Sequence, residues 1–318
     1  MRFNLSIGTS TKASIFPARS TFDLDEQQLT TSVSVSLEDK IVRAFDELTS
    51  KTSKSRLRAC EEIQRSLREN HLRELIHSQK LTILETLTRC LKRRRADELG
   101  QVATIASLVC VSIGSETVET FSEVAAQISR IMFDDTMPTS TRIDCARSLS
   151  TCAFIISDSN LCIETMHKLY SKFKASGLKG DKKMPIIDET TSSLHCVSLN
   201  GWLLLLVSLK EHKEQLRLAK ECQDKIVELL DSSHLEIRQM ADESLAVICE
   251  LIGNYNVMNF KEYEKLCDKF DSLINDSQKS RGKQELKLQR ASFREMRDSC
   301  KPSSAEDCGE IQGRVPVT

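Results

Sequence analysis

Apolar residues in this chain recur at intervals of three and four over most of its length, the period of helices that bury one face. Ile41, Ala44, Phe45 and Leu48 make one such stripe, and Leu81, Leu84, Leu87 and Leu91 form the inner face of another helix. Val102, Ile105, Ala106, Val109, Cys110 and Ile113 give a nearly unbroken series. The stripes predict a leading helix from Leu37 to about Leu48, with Ser36 as N-cap and Glu38 and Asp39 at its positive end. Five helix pairs follow: 54–69 with 79–94, 96–113 with 116–133, 139–156 with 159–174, 189–209 with 213–230, and 234–252 with 260–275. A last helix is expected over 278–297. Gly114 suits a helix end, Pro138 the first turn of the next helix, and Gly253-Asn254 the break inside the last pair. Gly177–Pro185 is a basic loop and the longest interruption. Trp202–Leu209 is apolar almost all round and belongs deep between neighbours.

Three stretches share a spacing: Arg56-x-x-Ala59-x-x-x-Ile63, Arg142-x-x-Cys145-x-x-x-Leu149 and Arg238-x-x-Ala241-x-x-x-Leu245. They lie 86 and 96 residues apart. That is twice the period of about 40–47 residues in HEAT and armadillo repeats. The expected fold is therefore all-α: an armadillo/HEAT-like helical-repeat solenoid of about five helix pairs with capping helices. Residues 1–35 read as a disordered Ser/Thr-rich tail, 36–276 as the repeat domain, 277–298 as a basic helix closing it, and 299–318 as a second disordered tail.

Composition sharpens this picture. Aromatics are 5% of the 318 residues, with 10 Gly and 5 Pro, too few turn and strand formers for a sheet protein. The net charge of −1 means that any basic surface must be local. The 12 cysteines form no C-x-x-C pair and no zinc-type cluster; several sit in apolar helical runs, where a thiol acts as a small hydrophobe. No apolar leader marks the first 20 residues, and Trp202–Val207, the longest apolar run, is too short to span a membrane. The expected setting is the reducing cytoplasm and nucleus.

No catalytic, cofactor or metal motif stands out. The histidines, 71, 77, 167, 195, 212 and 234, make neither an H-x-x-x-H pair nor H-E-x-x-H, and there is no P-loop, G-x-G-x-x-G or G-x-S-x-G. Glu61-Glu62 reads as a solvated helix face. The chain is expected to be no enzyme and to take no small-molecule substrate. Two basic features remain. Lys92, Arg93, Arg94 and Arg95 end a predicted helix, where cations suit the negative helix end or meet a phosphate or acidic partner. Lys283, Lys287, Arg290, Arg294 and Arg297, spaced 4, 3, 4 and 3, form one basic stripe. From Ser277 to Arg297 there are seven Lys or Arg against two Glu. Such a stripe either solubilises a terminal cap or neutralises phosphates. Without interleaved aromatics it fits structured RNA better than stacked single strands.

The segments Glu85–Arg93, Ala106–Gly114, Arg142–Ala146, Gly201–Leu206 and Glu243–Leu251 resemble the N-terminal domain of the interferon-related developmental regulators, and Gln289-Arg-Ala-Ser-Phe-Arg-Glu resembles the run that closes that domain. Order and spacing hold from about Leu37 to Glu295. Family members continue into a short second domain, which Met296–Thr318 does not resemble. The resemblance implies an armadillo-like fold without catalysis and a role in regulating gene expression. It implies two kinds of partner: nuclear corepressor complexes, or the ribosome and its structured RNA. A generic transport or assembly adaptor is the alternative. The single Trp argues against an importin-type groove, which carries repeated Trp and Asn.

Overall fold

The computed structural model describes residues 37–114, 118–180 and 183–254, with isolated helical positions at 268, 271, 272, 291 and 294. Every regular element among these residues is helical. Helix α1 covers 37–47, and Ile41, Ala44, Phe45 and Leu48 are buried as the stripe requires. Then come α2 (Ser53–Glu69), α3 (Arg73–Ser78), α4 (Lys80–Lys92), α5 (Ala96–Ile113), α6 (Val118–Phe133), α7 (Thr139–Ile156), α8 (Ser159–Phe173), α9 (Glu189–Ser208), α10 (His212–Leu229) and α11 (Leu235–Asn254). A short 3-10 turn, Lys174–Ser176, extends α8.

The helices form two layers. In the first, α2, α5, α7, α9 and α11 pack side by side in that order. In the second, α4 lies against α6. The layers interlock because each second helix packs on the first helix of the following pair: α4 on α5, α6 on α7, α8 on α9 and α10 on α11. One repeat therefore cannot bury its own apolar face, and the stack stabilises all of them together. Hydrogen bonds between successive first helices carry the period directly. Arg56 meets Glu98 at a separation of 42 residues, Thr141 meets the Ala96 carbonyl at 45, and Ser193 meets Glu236 at 43. The single repeat is thus close to 43 residues, and the arginine pattern marks every second one.

Small residues let the first layer stack closely. A methyl group at Gly100 of α5 would lie 2.6 Å from Asp144 Oδ2 of α7, and one at Gly201 of α9 would lie 2.8 Å from the Cβ of Ser150 on the same α7. Helix α7 is gripped from both sides this way. Between α8 and α9 the packing is aromatic, with Phe173 and Trp202 edge to face at 6.0 Å. On length and mean hydropathy alone α5 and α9 would suit a membrane span. Their burial between neighbouring helices accounts for that composition.

Several expectations change in detail. Leu81 is 63% exposed, and the inner face of α4 is Ile83, Leu84, Leu87 and Leu91. At 100° per residue Leu81 falls on the flank of that arc, beyond Leu84. Val207, next to last in α9, is exposed although the run from Trp202 is apolar. Pro138 stands one residue ahead of α7, at the N-cap, and α11 runs through Gly253-Asn254 instead of stopping at 252. Gly114 ends α5 with φ +82°, as a terminal glycine can. The expected helices over 260–275 and 278–297, and both tails, lie outside the described residues apart from the isolated positions above.

Candidate functional site

The arginines of the repeated pattern are structural. Arg56 is buried and donates through Nη1 to the carbonyls of Ser50 and Lys51, in the turn leading into its own helix. Arg238 does the same to Ser232 and Ser233 at 2.8 and 3.0 Å. Arg142 reaches the Met132 carbonyl through Nε and pairs with Asp135. Each fastens the chain entering a first-layer helix by supplying donors to carbonyls that would otherwise be orphaned.

Two histidines and the cysteines of the described residues serve packing. His195 is buried against the Ser176 hydroxyl, and burial together with nearby Lys172 and Arg142 lowers its pKa to about 4. His234 Nε2 meets the Ile187 carbonyl at 2.9 Å, tying the α8–α9 loop to the start of α11. Burial pushes Cys60, Cys145, Cys196 and Cys222 up to about 12 and Cys162 to about 11, so these thiols stay protonated.

What remains are surfaces. The ends of α4, α6 and α8 meet at one edge: Arg94 pairs with Asp134 just past α6, and Lys172 Nζ lies 4.3 Å from the centre of the Phe133 ring. Each carries a cation in its last turn: Lys92, Arg130 and Lys172. Beyond α4 the four basic residues at 92–95 are all exposed. Arg94 takes the left-handed conformation at φ +53°, which costs a residue with a Cβ roughly 1 kcal/mol. Its guanidinium pairs with Asp134 in the loop after α6, and Lys92 Nζ lies 3.0 Å from Glu123 Oε1 on α6. Hydrogen bonds from Lys92 and Gln127 hold Glu123 below the usual carboxylate range. Between α4 and α6 these side chains frame a cleft of about 290 Å³, lined by Leu91, Lys92, Arg94, Gln127, Arg130 and Ile131. Lys92 and Arg94 pair with acids of α6 and the loop after it, while Arg93 and Arg95 are exposed. The sequence reading missed Arg130. Its only signal was a last-turn cation on a helix that stacks on α4.

Of the second basic feature, Arg294 is helical and exposed. Lys283, Lys287, Arg290 and Arg297 lie outside the described residues. A further surface went unpredicted. Val111, Phe154 and Val207 are exposed near the C-terminal ends of α5, α7 and α9, one on each of three successive first-layer helices.

The sequence model of the family described as interferon-related developmental regulator (IFRD) matches residues 4–300. The chain belongs to the interferon-related developmental regulator family. It is 30% identical to "Interferon-related developmental regulator 1" of Sus scrofa over 266 residues, 82% of this chain and 58% of that protein. The Homo sapiens protein of the same name is 29% identical over the same shares. "Interferon-related developmental regulator 2" of Mus musculus is 26% identical over 278 residues, 85% of this chain and 61% of that protein. The chain therefore spans about three-fifths of the length of these relatives.

Proposed function

We propose that the chain is a non-catalytic binding scaffold that regulates gene expression. Family membership carries the reading: the matched region covers nearly the whole repeat array, whose buried polar groups serve packing. Within that role the leading mechanism is association with the ribosome, with the stripe of Lys283, Lys287, Arg290, Arg294 and Arg297 against structured RNA. The exposed, helical Arg294 supports it. Sucrose-gradient sedimentation at low and moderate salt tests it, with an Arg290→Glu/Arg294→Glu variant alongside. The wild type travels with ribosomes and is released by salt, and the variant stays at the top. If both forms stay at the top, this mechanism falls.

A second mechanism is recruitment of corepressor-type protein partners in the nucleus. The exposed Val111, Phe154 and Val207 favour it, since apolar side chains exposed on adjacent helices suit a protein surface better than a nucleic acid. A distribution confined to the cytosol and free of chromatin counts against this second reading.

A further inference from the structure

The geometry points to the α4–α6 cleft as a binding site for an acidic side chain presented by a protein partner, a proposal that rests on the scaffold reading above. The cleft is a compact pocket with a charged mouth. Leu91 and Ile131 are almost wholly buried and make an apolar floor, while Lys92, Arg94 and Arg130 stand at the mouth. A Glu or Asp side chain has the matching build, a short apolar stem and one carboxylate. Arg94 pairs with Asp134 through Nη2, and the donors of a guanidinium and an ammonium exceed what one acid each takes up, so Arg94 and Lys92 have donors for a second acceptor.

The backbone adds an independent sign. Position 94 has a left-handed conformation at which glycine is unstrained, yet an arginine occupies it. The bridge to Asp134, whose carboxylate is mostly buried, holds one side of the guanidinium, and the exposed half of Arg94 faces outward.

The same geometry argues against a nucleic-acid backbone here. Glu123 and Asp134 flank the cations, so a continuous run of phosphates along this edge would meet carboxylates on either side of the cleft. A single carboxylate seated between the cations avoids both. Arg93 and Arg95, exposed just beyond the mouth, would meet further acidic residues of the same partner segment.

Fluorescence polarisation with the full chain tests the proposal. The probes are a fluorescein-labelled peptide of alternating Leu and Glu, its Leu/Gln counterpart, and a labelled duplex RNA. Arg130→Glu and Arg94→Gly are the diagnostic variants, because the second removes the guanidinium while relieving the backbone. The expected result is salt-sensitive binding of the Leu/Glu peptide, weakened about tenfold by either variant, with the thermal midpoint of Arg94→Gly equal to or above wild type. Binding of the Gln peptide equal to that of the Glu peptide overturns the proposal, as does unchanged binding by both variants or no binding at all. RNA binding that Arg130→Glu abolishes, without peptide binding, assigns the cleft to nucleic acid instead. Ribosome sedimentation plays no part in this readout, so failure of the ribosome mechanism and failure of the cleft are separate results.

Discussion

Arg56 and Glu98 clasp each other across two repeats, with Arg56 Nε 2.8 Å from Oε2 and Nη2 2.6 Å from Oε1 of the glutamate. Both residues are buried, and Ser53 adds a third hydrogen bond to the carboxylate. The hydrogen bonds from Arg56 hold Glu98 below the usual carboxylate range, against the opposing effect of burial. The same arginine also secures the Ser50 and Lys51 carbonyls. One side chain therefore joins the α1–α2 turn, α2 and α5, and couples the first repeat to the second.

Removing one half of this pair strands a buried charge. Glu98→Ala is expected to lower stability by about 3 kcal/mol, read from the midpoint of urea unfolding at neutral pH. Arg56→Met combined with Glu98→Leu should recover only part of that loss, because the stranded charge is gone but the Ser50 and Lys51 carbonyls lose their donor. A Glu98→Ala variant as stable as wild type would show that the carbonyl contacts alone satisfy Arg56.

Gly201 is where α9 comes closest to α7. Gly201→Ala puts a methyl group 2.8 Å from the Cβ and Oγ of Ser150 and 3.3 Å from Leu169 Cδ1. The overpacking is expected to cost about 1–3 kcal/mol, more than the gain in helix propensity returns. Adding Ser150→Ala should not relieve it, since the Cβ of residue 150 remains in place. Thermal unfolding of the single and double variants measures this.

His195 makes stability depend on pH. Its folded pKa of about 4 lies below the ordinary value of 6.5, so the fold favours the neutral ring. The contribution is complete above pH 6.5 and is lost as pH falls toward 4, because only the unfolded chain takes up the proton there. The slope from this one group is at most about 1.4 kcal/mol per pH unit. Urea unfolding at pH 7, 6 and 5 should show wild type weakening more steeply than His195→Gln. Parallel slopes would place the pH dependence elsewhere.

The thiols give a compact test of the core. Nine of the 12 cysteines lie among the described residues, none of them exposed, which leaves Cys267, Cys300 and Cys308. With those three changed to Ser, the native chain at pH 8 should react with a disulfide reagent only as fast as it opens, and completely once denatured. A fast native phase would show that the stack breathes around Cys90 or Cys196, the two that are only partly buried.

Much of the architecture was legible along the chain. Helices α5 and α7 fall where the apolar period placed them, and the repeated Arg-x-x-small-x-x-x-aliphatic pattern announced the stack. Such features are local: a period of 3.6 residues and a terminal glycine such as Gly114 act within one helix. The role of the repeated arginines was not legible, since their partners are carbonyls that become orphaned only when the loop folds back. The candidate site was half legible. The basic run at 92–95 is plain in the sequence, whereas Arg130, Glu123 and Asp134, which turn it into a bounded cleft, come from α6 and the loop that follows it.

By itself, then, the sequence determined that the chain is helical, repetitive and close to neutral, and which face of each helix is apolar, because these follow from residue order and hydrophobicity. Only the tertiary structure decided which side chains bridge successive repeats, the gripping of α7 by Gly100 and Gly201, and which cations are paired with acids. Those depend on how closely two helices approach and on what lies opposite each side chain across the layer.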